Sequence, residues 1–307
     1  MHLYRFNIMN TFISIILFLV VMLLPLKAAE LSFEGKIPSG LNKYSLQKEY
    51  FRIKSYLSPS CPDMLKPVHV IFFNKSESSH HGIRLPEWGG GGAIGVDTIV
   101  IPVGSVSPIM DFDYYRVCLH ELVHIELARF YGNVRIPRWV HEGLAMALSG
   151  ELNFDETILV SRAVLTNSLL SFGEIEKVNM FDQYKAALSY AQSHIAVKFL
   201  IDTYGYDFIP ELLAAVKKDR YFRSATMELL GLTPDEIELL VKNHMSSKYR
   251  YMFIFDSMLP WLFVLFLAIL GFFFTMYRNG KKRKMLEEQE AEDEIVKTDE
   301  TSENQSA

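Results

Sequence analysis

The sequence predicts an α+β fold: a small mixed sheet early in the chain, a mostly helical part after it, and a last helix that crosses a membrane. Three observations predict it. Runs rich in β-branched and aromatic residues fall before Gly104, and segments with apolar residues at helical spacing then follow one another to about residue 248. Strands first and helices after is the order of an α+β domain. Near the C-terminus, Ser257 to Tyr277 is a run of 21 residues without a charge, long enough for a bilayer and too apolar all round for a soluble surface helix.

Within the domain, residues 42–57 place Tyr44, Leu46, Tyr50, Phe51, Ile53 and Leu57 at helical spacing. Pro67 to Phe73 reads as a buried strand by its β-branched and aromatic content. A polar stretch from Asn74 to Ser79, which includes the sequon Asn74-Lys75-Ser76, leads to His80-His81 and to Trp88 with the glycines 89–92. The glycine run is a hairpin loop and not a phosphate loop, because no Lys-Ser/Thr pair and no helix follow it. His80-His81 reads as a pair of exposed loop histidines. Ala93 to Val103 is expected as one further strand, ended by Pro102 and Gly104. A helix then carries the apolar stripe Leu119, Leu122, Val123 and Leu127, with Asp111 or Asp113 to cap it and Gly132 to end it. A second starts at Pro137, and others are expected near 155–171, 182–204, 207–219 and 233–248. There is no internal repeat.

The ends of the chain carry targeting signals. Arg5 precedes an apolar run from about Ile13 to Leu26, followed by Lys27-Ala28-Ala29-Glu30, the order of a secretory signal peptide or, uncleaved, a signal anchor. After Tyr277 come Arg278, Lys281, Lys282, Arg283 and Lys284, which by the positive-inside rule hold the C-terminus in the cytoplasm. The expected organisation is a signal or anchor at 1–29, an exported domain at 30–250 (periplasmic or extracellular), a membrane helix at 257–277 and a basic-then-acidic tail at 278–307. The chain passes the membrane once, or twice if the signal is retained, and its lipid contact is the C-terminal helix. The tail from Glu287 is acidic and nearly without apolar residues, and is expected to be disordered. From Arg278 onward six basic and nine acidic residues supply −3 of the net −5 charge, so the rest is close to neutral. No basic face points to a nucleic acid. Of the two cysteines, Cys61 and Cys118, the second lies two positions before His120 and is expected to pack in the core. Whether they pair, and the oligomeric state, are not written in the sequence.

The chemistry is concentrated at His120-Glu121-Leu122-Val123-His124. Residues four apart share a helix face, so His120 and His124 can offer two imidazoles to one metal ion, with Glu121 placed as a general base for water. Inside a core helix these groups are costly without a partner, and a metal is the obvious one. Pro137-Arg138-Trp139-Val140-His141-Glu142-Gly143-Leu144-Ala145 follows. A catalytic zinc usually takes three protein ligands and one open position. Glu142, eighteen positions after His124, is the candidate third ligand. His141 is its neighbour, and adjacent helical residues diverge by about 100°, so only one of the two can face the metal.

The pair HELVH and PRWVHEGLA resembles the gluzincin metallopeptidases, in the broad peptidase-MA-like group with its P-x-W-x-x-E-G-x-A second helix. The resemblance implies a zincin-like domain over about residues 68–245, with zinc held by His120, His124 and Glu142 and with His141 beside the site. It also implies an edge strand for the substrate backbone, for which Ala93–Pro102 is the candidate by position. Tyr190-Ala191-Gln192-Ser193-His194, continuing to Gly205, is similar to a third block of the group, whose tyrosine faces the zinc. Tyr190 is the first candidate for the oxyanion donor and His194, one turn on, the second. The chain departs from the pattern at Met146, where some gluzincins carry an acid that orients a histidine. The expected function is a membrane-anchored zinc metallopeptidase acting on a peptide or protein. The alternatives are an inactive peptidase-like binding or scaffold module of the envelope, and a zinc hydrolase of a non-peptide amide or ester.

Overall fold

The computed structural model describes residues 31–57, 66–74, 90–104, 113–150 and 154–304. They fall into two units that divide after Arg250. The signal region, Cys61, His80-His81, Asp111 and all of the sequon past Asn74 lie outside the described residues.

The first unit opens on a sheet of four strands, β1 (Leu31–Gly35), β2 (Val68–Asn74), β3 (Gly92–Ile94) and β4 (Thr98–Val103), in the order β1-β2-β4-β3. β1, β2 and β4 run parallel, and β3 pairs antiparallel with β4. Helix α1 (Lys43–Leu57) lies between β1 and β2 in the chain and buries Leu46, Tyr50, Ile53 and Leu57, as a parallel crossover requires. β1 was not expected: five residues with only two large apolar side chains carry little period. The strand expected over Ala93–Val103 is two strands. Gly95 takes a φ of +64°, a conformation that turns the chain at little cost only for glycine, and the run folds back on itself. β4 is therefore interior, with Ile99, Val100 and Ile101 buried, and the edge expected over Ala93–Pro102 shrinks to Gly92–Ile94.

Helix α2 (Tyr114–Tyr131) packs against this sheet and α1. Asp113 caps it, its carboxylate accepting from the amides of Tyr115 and Arg116 at 3.0 and 3.1 Å. Arg129, nearly buried near its end, ties four parts together. It donates to the Val96 carbonyl in the β3–β4 turn (2.6 Å), to the Lys66 carbonyl before β2 (3.1 Å) and to the Tyr50 hydroxyl (3.2 Å). Its fourth contact is with Glu126 at 3.5 Å, which also accepts from Tyr50. Cys118 is fully buried, as expected, and burial pushes its thiol up to about 12.

Helix α3 (Arg138–Ser149) starts behind Pro137 and is anchored by Trp139, 1% exposed, stacked on Phe172 at 4.2 Å and edge-on to Phe222. The helix expected at 155–171 is α4 (Phe154–Leu165), a left-handed Asn167 (φ 51°), and the short α5 (Phe172–Ile175) with a Ser171–Glu174 capping box. Asn tolerates that conformation, and it stops the helix. α6 (Gln183–Tyr204), α7 (Phe208–Asp219) and α9 (Pro234–Lys248) lie where helical spacing places them. Between the last two is an unexpected α8 (Phe222–Leu230), nine residues bounded by left-handed Arg220 and Gly231. α3 and α6 pack most closely at Gly143, where a Cβ would stand 2.3 Å from the Ser193 carbonyl oxygen.

The second unit is one helix, α10 (Met252–Asn304), with Pro260 inside it. Its apolar stretch reaches a mean hydropathy of 2.3 and keeps none of its surface buried, so it is long and apolar enough to cross a membrane. The tail expected to be disordered continues this helix. Glu, Gln, Lys and Ala are strong helix formers, Arg283 pairs with Glu287 at 3.1 Å, and extending a formed helix is far easier than starting one.

Candidate metal centre

Helix α2 presents His120, Glu121 and His124, and α3 presents Glu142, across one packed interface. The Nε2 atoms of His120 and His124 are 3.2 Å apart. Each faces Oε2 of Glu142, at 3.4 Å and 3.5 Å respectively. The three ligand atoms thus form a nearly equilateral triangle. A tetrahedral ion with bonds of about 2.0–2.1 Å needs donors about 3.3 Å apart, so the residues fit zinc. The state of Glu142 points the same way. Its side chain is 2% exposed, and both carboxylate oxygens are buried without a hydrogen-bond donor aligned on them, a costly arrangement that a cation relieves. Arg138 Nη2 stands 2.7 Å from Oε1, off the hydrogen-bonding direction, so that contact is ionic.

The electrostatics follow. Burial alone would raise the Glu142 carboxyl, but His124, His120 and Arg138 outweigh it and hold it well below the usual carboxylate range. Burial opposes charge on His124, and Glu142 with Glu121 behind it carries its pKa above the ordinary value. His141 does not join the triangle. Its ring lies 6.0 Å from that of His124, and burial with the neighbouring His124 pushes it down to about 4, so it is neutral.

The triangle opens into a cleft of about 700 Å³, lined on one side by Gly90 to Ala93 and on the other by α2 and α3 residues, with Glu121, Glu156 and Tyr190 among the lining groups. Gly91 sits close above Glu121, where a Cβ would come 3.1 Å from its Cγ. Of the two candidates on α6, Tyr190 reaches the cleft, its ring 6.3 Å from that of His120. Burial first, then Glu142, raises its pKa well above that of a free tyrosine, so it keeps its proton. His194 is turned elsewhere. It is 2% exposed, its Nδ1 is 2.9 Å from Glu156 Oε2, and it lines a separate pocket with Lys198 and Lys248. Arg138 and Glu156 were given no role from the sequence. The first carried a signal: it stands four residues before Glu142 on one helix, the spacing of an ion pair.

A metal-fitting triangle beside an acid in an open cleft, built on a helical domain with a small mixed sheet, suits metal-assisted hydrolysis. Comparison with family models agrees. The model of the Peptidase MA superfamily matches residues 59–245, and the chain belongs to that superfamily. A search of curated proteins found no match.

Proposed function

We propose that this chain is a zinc metallopeptidase of the gluzincin type, exported and anchored by α10 with its C-terminus in the cytoplasm. The observation that supports it most is the triangle of His120, His124 and Glu142, whose edges of 3.2–3.5 Å match a tetrahedral ion. Zinc held there would polarise the scissile carbonyl and acidify water. An extended peptide would lie beside β3, pairing with the Gly92–Ile94 backbone. Glu121, which lines the cleft, would take the proton of the attacking water on its carboxylate. It would then give that proton to the leaving amine as the C–N bond breaks. Tyr190, which keeps its hydroxyl proton, would donate to the oxygen that gains charge. His194, held by Glu156 behind the cleft wall, would steady that wall and not touch the substrate.

The test uses the full-length chain in detergent. Elemental mass spectrometry should find one zinc per chain, and Glu142→Ala should lose it. Glu121→Gln should keep the zinc and lose turnover of a peptide library. Turnover that survives in Glu121→Gln sinks the mechanism. A folded wild type without zinc leaves the binding-module reading, and zinc with no peptide cleavage but cleavage of simple amides or esters leaves the other.

A further inference from the structure

The two oxygens of Glu142 have different neighbours. Oε2 faces both histidine nitrogens, whereas Oε1, among the described residues, faces the guanidinium of Arg138, at 2.7 Å. The Glu142 side chain is 2% exposed and that of Arg138 36%, so the carboxylate end of the pair is buried. Arg138 is held at its backbone and, besides Glu142, by one contact of its guanidinium. It is the first residue of α3, its backbone amide donates to Glu176 Oε1 at 2.8 Å, and its Nη2 reaches Asn179 Oδ1 at 3.4 Å. Met146, one turn beyond Glu142, brings no charge to the site. A carboxylate can bind a cation through one oxygen or through both, and both would use up a position that a catalytic site must leave open.

We infer that Arg138 is a positioning residue that limits Glu142 to ligation through Oε2 alone and so keeps one metal position free for substrate and water. The inference rests on the zinc reading above. By occupying Oε1 with a fixed positive charge, Arg138 makes the second oxygen unavailable. It also cancels the carboxylate charge that would otherwise draw Glu142 further over the ion. The arrangement does with a cation on the ligand what the acid missing at Met146 does elsewhere through a histidine: it orients the first ligand shell from behind.

The experiment loads full-length wild type, Arg138→Met and Arg138→Lys with Co²⁺ in place of zinc and reads metal per chain, visible absorption and peptide turnover. Thermal melting followed by circular dichroism confirms that each is folded, and Arg138→Gln replaces Arg138→Met if that variant is not. The wild type should show the intense visible band of a four-coordinate site. Arg138→Met should keep one metal per chain but lose much of that intensity as Glu142 swings to two-oxygen binding, with turnover reduced about 10–100-fold. Arg138→Lys, whose ammonium still reaches a residue four places on, should restore the band. A folded Arg138→Met with an unchanged band, or one that loses its metal outright, overturns the inference and leaves the zinc site standing. A wild type that takes no cobalt or zinc overturns the zinc reading itself.

Discussion

At the scale of single residues, Gly143 shows how close packing and chemistry are joined. It follows Glu142, and a methyl group there would meet the Ser193 carbonyl oxygen at 2.3 Å and Val197 Cγ2 at 2.5 Å. Neither neighbour is the free end of a flexible chain, so α3 would have to move off α6. Gly143→Ala should cost about 1–3 kcal/mol, read as a lowered urea midpoint, and should weaken zinc binding because Glu142 travels with the helix. A variant with unchanged midpoint and zinc content would show that the helices can part freely. The metal-fitting residues were legible because helical periodicity alone puts His120 and His124 on one face. Glu142 was legible through its setting between Trp139 and Gly143. Which oxygen of Glu142 faces the histidines was not, since that depends on the packing of α3 on α2 and on a cation one turn away.

Among elements, α3 is anchored at its first turn, three residues before Glu142. Trp139 is buried between Phe172 of α5 and Phe222 of α8, two elements the sequence did not announce as helices. Trp139→Ala should cost about 3–5 kcal/mol; a calorimetric melt within a degree of wild type would mean that the aromatic cluster is not an anchor. The long helices α2, α6, α7 and α9 were readable because they run for 12–22 residues without a breaker past the first turn and Asp113, Asp182 and Thr233 cap three of them. α5 and α8 are too short for that spacing to repeat. β1 and the β3–β4 hairpin escaped for a related reason. A three-residue strand such as Gly92–Ile94 has no period to detect, and its existence depends on the partner strand supplying the hydrogen bonds. The reading of the tail beyond Glu287 rested on its acidity and lack of apolar residues, which say nothing of a helix carried on from a formed one.

For the whole molecule, burying a carboxylate whose oxygens lack an aligned hydrogen-bond donor makes stability depend on a cation bound beside it. If zinc is present at about a hundred times its dissociation constant, it adds about 2.7 kcal/mol to the folded state. For a domain of this size that corresponds to roughly 5–11 °C. Chelation should therefore lower the melting temperature of the full-length protein by that order, and the Glu142→Ala variant should be indifferent to chelator. Equal melting with and without chelator in the wild type would mean that the ion does not bind tightly. The apolar helix and the domain before it are separate units, so this shift should be the same in detergents of different chain length. Arg129, finally, is not among the residues that line the cleft, yet it links the helix that carries His120 and His124 to the turn behind Gly92–Ile94 through the Val96 carbonyl. It acts as a gauge block between rail and blade. On the peptidase reading proposed above, the depth to which an extended peptide could enter the cleft is set by this brace when the protein folds, not when the peptide arrives.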